Sequence, residues 1–562
     1  MNTILTLHDP QAARQFYLDG VWQRDTLYGL LRDHARNRPG DHALRDSAVR
    51  LTWSELFTWV DAVAEDLHRA GLRRGSRVCI WLPSRAESVV VFLACSRNGY
   101  ICNPSLHQNY TVEEILQLLA RVDCAAFVGQ PGYGADADKR DIFREVRALE
   151  SVKRIYRVAR RGELDAPAAG EAAFPPLAKV SPSAAPDDNP DKVVYLAFTS
   201  GTTGTPKGVM HSDNTLLANG RAMVKDWNHD HTTILLSLSP VSHHIATVAL
   251  EQMLAAGLEL VLNDLPRGKQ AIDWILESGA TYVMGVPTHA IDILAEMRRR
   301  ALERLGAVRV FYMAGAPIPR DTAQSFLDCG IVPQNVYGMT ENGSHQYTLP
   351  GDDTDTIVST CGRACKGYEI RIWKQDNPDE EAAPGEIGEI GGRGGVLMLG
   401  YFANQAATEK SFNAHGWFMS GDLGRIDRNG CLVIMGRKKD LIIRGGHNIH
   451  PARIEDLAIR HPRIVQAAAF GVADERLGEK VCLAVIPEPG FRPEPQELLQ
   501  YLHDMGLSKF DMPEYFVVME EFPRTASGKT LKRELVEWVR QGRVQPTPVR
   551  WSGANQGRRA QA

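Results

Sequence analysis

Eleven residues at 198–208, reading FTSGTTGTPKG, combine three glycines, four threonines, a serine, a proline and a lysine. That composition suits a polyphosphate. Gly201, Gly204 and Gly208 permit positive φ and close backbone approach, so successive amides can form an anion-binding nest. The hydroxyls of Thr199, Ser200, Thr202 and Thr203 and the ammonium of Lys207 add donors and charge. An ordinary polar turn is the competing account of such a string. A Walker phosphate loop is excluded, because Lys207 is followed by Gly208 rather than Ser or Thr and the glycine spacing differs. Farther along, Glu341 follows Thr340 in NVYGMTE. A carboxylate beside a triphosphate is repulsive unless a cation intervenes, and magnesium, held by few carboxylates plus phosphates, is the economical intermediary. Taken singly, Asp422 in SGD reads as a turn former, Lys529 in TASGKT as a solvated lysine and Tyr337 as a core aromatic.

Position among neighbouring motifs reverses those readings. The string at 198–208 resembles the phosphate-binding loop of the AMP-forming adenylating (ANL) superfamily, which contains acyl-CoA synthetases, peptide-synthetase adenylation domains and beetle luciferases. Four more blocks follow in that family's order: YGMTE at 337–341, SGD at 420–422, GRKKDLIIRGGHNIHP at 436–451 and PRTASGKTLKR at 523–533. Upstream, residues 52–84 have the family's helix, Gly-rich turn and strand. The resemblance implies ATP-dependent activation of a carboxylic acid as acyl-AMP, followed by transfer to the thiol of coenzyme A, with ATP, Mg2+ and CoA as the small molecules required. It assigns the ATP phosphates to Thr199, Ser200, Gly201, Thr202, Thr203, Gly204 and Lys207, and places Gly315, Ala316, Pro317 and Gly338 beside the nucleotide. By the same resemblance Tyr337 packs on adenine, Thr340 contacts the α-phosphate, Glu341 ligates magnesium, and Asp422, helped by Arg437, accepts hydrogen bonds from the ribose hydroxyls. Lys529 would bridge the carboxylate and the α-phosphate, where charge grows in the transition state. Lys439 would be the hinge of a rotating C-terminal domain, and Gly445 and Gly446, without Cβ atoms, would leave room for the pantetheine arm. At 453 an Arg stands where the family commonly has Glu.

The matching acyl segments are 239–245, 286–288, 314–316 and 338–339, mostly small or apolar. They suit an uncharged acyl body, with His243 or His244 as the polar feature near the carboxylate. Ser242 replaces the usual aromatic residue before His243, which leads us to expect more room there. No Asp is present in the 239–242 stretch to hold a substrate ammonium, so amino acids are excluded. The junction GVMHSDNTL at 208–216 looks like that of alicyclic, aromatic and medium-chain acid ligases, and the chain most resembles cyclohexanecarboxylate-CoA ligases. A stand-alone adenylating enzyme that loads a carrier protein is the runner-up. A non-catalytic adenylate-binding protein is a third reading, against which Lys529 and Glu341 are both intact.

These residues need several domains to hold them, and 562 residues exceed one core. Apolar, β-favouring runs at 77–82, 125–128, 193–197, 233–238, 259–262, 282–285 and 309–313 alternate with helix-length segments, which argues for two layered α/β units with largely parallel sheets. A Pro/Ala-rich connector at 166–191 separates them. Between about 352 and 435 short runs take over, and Asn429-Gly430 is a strong hairpin signal, so a small β-barrel or twisted sheet is expected. The expected division is an N-terminal adenylate-forming domain at 1–436, a small mobile α/β domain at 437–545 and a polar disordered tail from 546.

The net charge of −4, with no long Lys/Arg block, gives no case for nucleic acid. Apolar runs such as 89–95 fall far short of the roughly 20 residues of a spanning helix, and the N-terminal stretch is not a secretory signal, so a cytoplasmic location is expected. A small carboxylic acid is the expected partner, and a homodimer is compatible with the sequence. Nine scattered cysteines lack the spacing of a zinc set and read as unpaired thiols.

Overall fold

The computed structural model describes residues 4–7, 9–163, 166–199, 206–265, 268–315, 318, 320–445, 447–524 and 530–551. The first half holds two largely parallel sheets. In the seven-stranded sheet the order is Ala172–Ala173, Arg154–Arg157, Cys124–Gly129, Arg77–Trp81, Ile101–Asn103, Val193–Thr199 and Lys207–Ser212, parallel until the last pair. The nine-stranded sheet runs Arg363–Ala364, Gly343–Tyr347, Val332–Met339, Val310–Ala314, Tyr282–Gly285, Ile234–Ser237, Glu259–Leu262, His42–Arg45 and Arg50–Thr52, with a parallel centre and antiparallel ends. Central strands such as Cys124–Gly129, Glu259–Leu262 and Tyr282–Gly285 were legible as short apolar runs buried on both faces. The division at the 166–191 connector is corrected: Ala172–Ala173 and Val193–Thr199 belong to the seven-stranded sheet together, while His42–Arg45 and Arg50–Thr52 join the nine-stranded one, because sheet membership is set by pairing rather than by chain order.

Helices pack against these sheets and carry clear start signals. Trp53–Arg69 opens with a capping box in which Thr52 and Glu55 satisfy each other's backbone amides, and Val112–Arg121 repeats the device with Thr111 and Glu114. Trp53, Tyr195, Tyr312 and Tyr347 are among the fully buried side chains of the core.

Of the two forms expected for the β-rich segment, the structure has an open twisted sheet rather than a closed barrel. Four antiparallel strands, Tyr368–Trp373, Gly388–Gly394, Phe418–Ile426 and Leu432–Arg437, pair in chain order. The Asn-Gly hairpin is present: Gly430 at φ +77° turns the chain between the last two strands. The small unit beyond residue 437 is built on a long hairpin, Ile464–Asp474 with Gly478–Pro487, flanked by Tyr515–Val518 and covered by the helices Pro451–Ile459 and Pro495–Asp504.

The tail expectation is corrected between 547 and 551. Thr547–Pro548 pairs with Tyr515 and Phe516, Trp551 stacks on His503 at 4.2 Å, and the Trp551 indole donates to Gln500. A polar composition hid one large aromatic with a partner waiting. The nine cysteines are all unpaired thiols.

Candidate active site

Parallel strands release their loops at their C-terminal ends, and a doubly wound sheet binds ligands there. Val193–Thr199 ends at Thr199, Ile234–Ser237 leads into the 239–245 loop, Val310–Ala314 ends beside Gly315, and Val332–Met339 carries Tyr337 directly into Thr340 and Glu341. Thr199, Gly315, Tyr337, Thr340 and Glu341 therefore sit at strand ends or just after them, whereas Asp422 lies inside the strand Phe418–Ile426. Ser200, Gly201, Thr202, Thr203, Gly204, Ala316, Pro317, Gly446 and Lys529 lie outside the described residues.

Thr199 and Lys207, the described residues on either side of the phosphate-loop sequence, face each other on the last rung of an antiparallel pair. The Lys207 ammonium lies 4.6 Å from the centre of the Tyr401 ring. The Tyr401 hydroxyl in turn donates to Glu341 Oε1 at 2.9 Å. Protein encloses the Glu341 carboxyl, and that desolvation raises its pKa against the opposing pull of Tyr401, Lys207 and Arg437. Lys207 and Arg437 are its positive neighbours, and their pull is smaller than the cost of desolvation. Thr340 is fixed through its main chain: its carbonyl accepts from His211 Nε2 at 2.7 Å, while His211 Nδ1 meets the Thr215 hydroxyl at 3.0 Å. Burial pulls the His211 pKa down to about 4, so it is a neutral imidazole with its proton on Nε2.

Asp422 lies opposite Arg437 in the register of the four-stranded sheet, with Oδ1 3.2 Å from Arg437 Nε. The Tyr337 hydroxyl donates to the other oxygen, Oδ2, at 2.9 Å. A Tyr from the nine-stranded sheet and an Arg from the four-stranded sheet thereby hold one carboxylate between them. Gly338 has a packing reason for being glycine: a Cβ there would lie 1.8 Å from the Gly343 carbonyl oxygen. Gly315 adopts φ +91° at its strand end.

The 3-10 turn Lys438–Asp440 connects the four-stranded sheet to the small unit. Lys438 is anchored to Glu389 at 2.9 Å, and Lys439 is exposed, with desolvation first and Arg437 next lowering its pKa. Gly445, at φ +57°, donates its amide to Leu477. Arg453 lies 4.0 Å from Asp456, whose closer partner is Arg460 at 2.8 Å, and the neighbouring Glu455 pairs with Lys532 at 2.6 Å.

On the acyl side the two histidines separate. His244 is partly buried, like His243, and is held by a hydrogen bond: Nδ1 meets the Tyr195 hydroxyl at 3.2 Å, and desolvation, then His211, push its pKa to about 3. His243 is the N-cap of the helix His244–Ala256 and is partly exposed. The room expected beside Ser242 is taken. His107, from the loop after Ile101–Asn103, places Nδ1 3.0 Å from Ser242 Oγ and stacks its ring on His243 at 4.4 Å and 22°. His107, His211 and Tyr401 were missed in the sequence, because each acts on a motif residue from outside the motif.

With that geometry in place, the comparisons with known proteins are direct. The AMP-binding enzyme family matches residues 31–402, and its C-terminal domain matches 453–529. This chain belongs to the AMP-binding enzymes. The resemblance to AMP-forming acyl-CoA synthetases of the ANL superfamily therefore holds at family level, as does the fold of a large and a small α/β domain. Among curated proteins, a medium-chain fatty-acid–CoA ligase of Escherichia coli is 29% identical over 95% of this chain and 93% of its own. A 2,3-dihydroxybenzoate-AMP ligase of Bacillus subtilis is 28% identical, covering 94% of this chain and 96% of its own. Among solved structures, ATP-bound MatB from Rhodopseudomonas palustris superposes with a TM-score of 0.80 at 28% identity, covering 92% of this chain and 98% of that one.

Proposed function

We propose that this AMP-binding enzyme joins a small carboxylic acid to coenzyme A in two steps. A carboxylate oxygen attacks the α-phosphorus of ATP, forming a mixed anhydride and expelling pyrophosphate. The CoA sulfur, having lost its proton, then attacks the acyl carbon and AMP leaves. The observation that carries this reading is the grip on Asp422: Tyr337 and Arg437 orient its carboxylate to accept from a ribose, within a cleft that also contains Glu341 and Lys207.

The residues divide the work. Lys207 and the phosphate loop offset phosphate charge, the Tyr337 ring offers a face for adenine, and Thr340 is held at the α-phosphate by His211. Lys529 neutralises charge as carboxylate and phosphate combine. Lys439 acts as the hinge of a mobile domain at about 437–545, whose movement brings Gly445 and Gly446 toward the pantetheine arm.

Among the described residues no three His, Cys, Asp or Glu side chains cluster to hold a metal ion. Glu341 suits a different arrangement, a magnesium ion that takes its other ligands from substrate phosphates and water, because the desolvation of its carboxyl outweighs the pull of Lys207 and Arg437. Such an ion would supply electrostatic relief between that carboxylate and the phosphates.

For the acid, the small and apolar residues at 239–245, 286–288 and 338–339 support an alicyclic, aromatic or medium-chain body, with cyclohexanecarboxylate a leading candidate. The names of the Escherichia coli and Bacillus subtilis relatives, one aliphatic and one aromatic, agree with that range. The Bacillus subtilis name ends at the adenylate, which favours a carrier-protein thiol as the second reading for the acceptor. We place the enzyme in the cytoplasm; no helix among the described residues is long and apolar enough to cross a membrane.

The test is ATP–pyrophosphate exchange with CoA omitted, across cyclohexanecarboxylate, benzoate, hexanoate, palmitate and phenylalanine, followed by CoA and carrier proteins as acceptors. Exchange with a compact acid and transfer to CoA are expected. Palmitate or phenylalanine at the top would overturn the acyl assignment, and no exchange with any acid would overturn the reaction.

A further inference from the structure

We propose that His107 is a specificity-determining residue of the acyl site, its imidazole forming the wall that the short side chain of Ser242 does not. The inference rests on the reading of 239–245 as the acyl segment.

Three contacts fix the ring. Nδ1 bonds to Ser242 Oγ at 3.0 Å, the ring lies nearly parallel to His243 at 4.4 Å, and Tyr110 tilts against it at 5.3 Å. The backbone is pinned as well: the indole of Trp81, a fully buried strand residue, donates to the His107 carbonyl at 2.9 Å. A side chain held at its ring and at its carbonyl has little freedom to yield to a larger ligand. Burial, and then the neighbouring His243, lower the His107 pKa to about 3, so the wall is a neutral aromatic face at physiological pH. Such a face suits the apolar body of a compact ring or short chain lying beside His243, and opposes a bulkier one.

The arrangement is a substitution in space. A ring beside His243 is kept, but it enters from a loop 135 positions earlier and is tied to Ser242 by a hydrogen bond that a phenylalanine at 242 could not make. Ser242 and His107 therefore form a matched pair, and neither alone defines the pocket.

Acid binding in the presence of AMP, measured by calorimetry, reads the wall without requiring turnover. Pyrophosphate exchange is run in parallel. The probes are cyclohexanecarboxylate and benzoate against 4-butylcyclohexanecarboxylate and palmitate. His107→Ala is expected to shift the compact-to-bulky preference by about tenfold or more toward the bulky acids, the scale on which a pocket discriminates by size. His107→Phe, which keeps the ring, is expected to restore the wild-type order in both assays. The proposal is overturned if His107→Ala leaves the order unchanged, or if it weakens every acid equally and His107→Phe fails to restore the order. AMP binding by each variant separates loss of fold from loss of selectivity. If wild type binds acids with a His107-dependent order yet exchanges no pyrophosphate, the wall stands and the proposed reaction falls.

Discussion

On the nucleotide side of the cleft, Tyr337, Asp422 and Arg437 come from three separate strands and Glu341 from the turn that follows the first, yet each sits in a short string whose neighbours announce it. On the acyl side, Ser242 and His243 meet a ring from a loop with no motif around it. Polyphosphate and ribose present the same charges and hydroxyls in every turnover, so their partners need fixed groups at fixed strand ends. An acyl body presents shape, and shape can be met by a ring from any backbone that comes near. The chemistry common to a reaction is therefore concentrated in strings, while the chemistry that distinguishes one acid from another is spread over the fold.

The severest test of that division is Lys529→Ala, which should lower adenylate formation by about 10²–10³-fold, the scale of one lost transition-state contact. Thioester formation from supplied acyl-AMP should change little. Equal loss in both steps would break the assignment. Asp422→Asn should raise the KM for ATP by about 10–100-fold, the range for a hydrogen bond to a charged group, while the ranking of acids stays as in wild type. A changed ranking would mean that the two sides are not separable. Lys439→Pro should slow transfer to CoA by about tenfold while adenylation survives, because proline fixes the φ that a hinge must change. Separate assays of the two half-reactions decide it.

The sequence reaches unevenly into this structure. Central strands such as Glu259–Leu262 and Tyr282–Gly285 were legible residue for residue, because a strand buried on both faces is an uninterrupted apolar run. Glu341 and Asp422 were legible as motif members, but Tyr401, the partner of Glu341, was not: an aromatic outside any motif carries no sign that its hydroxyl will find a carboxylate. Ser242 misled in a more instructive way. A small residue implies space only if nothing else fills it, and what fills it is decided by the packing of a separate loop.

Smaller effects sharpen the same contrast. The raised pKa of Glu341 means that its contribution to stability is present at low pH and lost as pH rises through the folded-state value. Glu341→Gln, which cannot ionise, should therefore melt about 1–2 °C above wild type near pH 8 without nucleotide, the gap closing below pH ~4.5. Scanning calorimetry across pH checks this, and a constant gap would exclude the ionisation as its cause. In the catalytic assay the same variant should need more magnesium. Least of all, Trp551→Ala should destabilise the small unit by about 1 kcal/mol, the worth of one aromatic pair, with adenylation unaffected. Denaturant melts resolve it.

The contact made by Thr547–Pro548 bears on more than that stability. Tyr515–Val518 would otherwise offer a row of unpaired backbone groups along one side of its sheet, an open template for another chain. The added strand is two residues long and one of them is proline, which has no amide hydrogen to donate. Such a strand occupies the border while offering little to the next one, so this part of the enzyme behaves as a finished hem. A chain cut before residue 547 should fold its core and yet be prone to stick to itself.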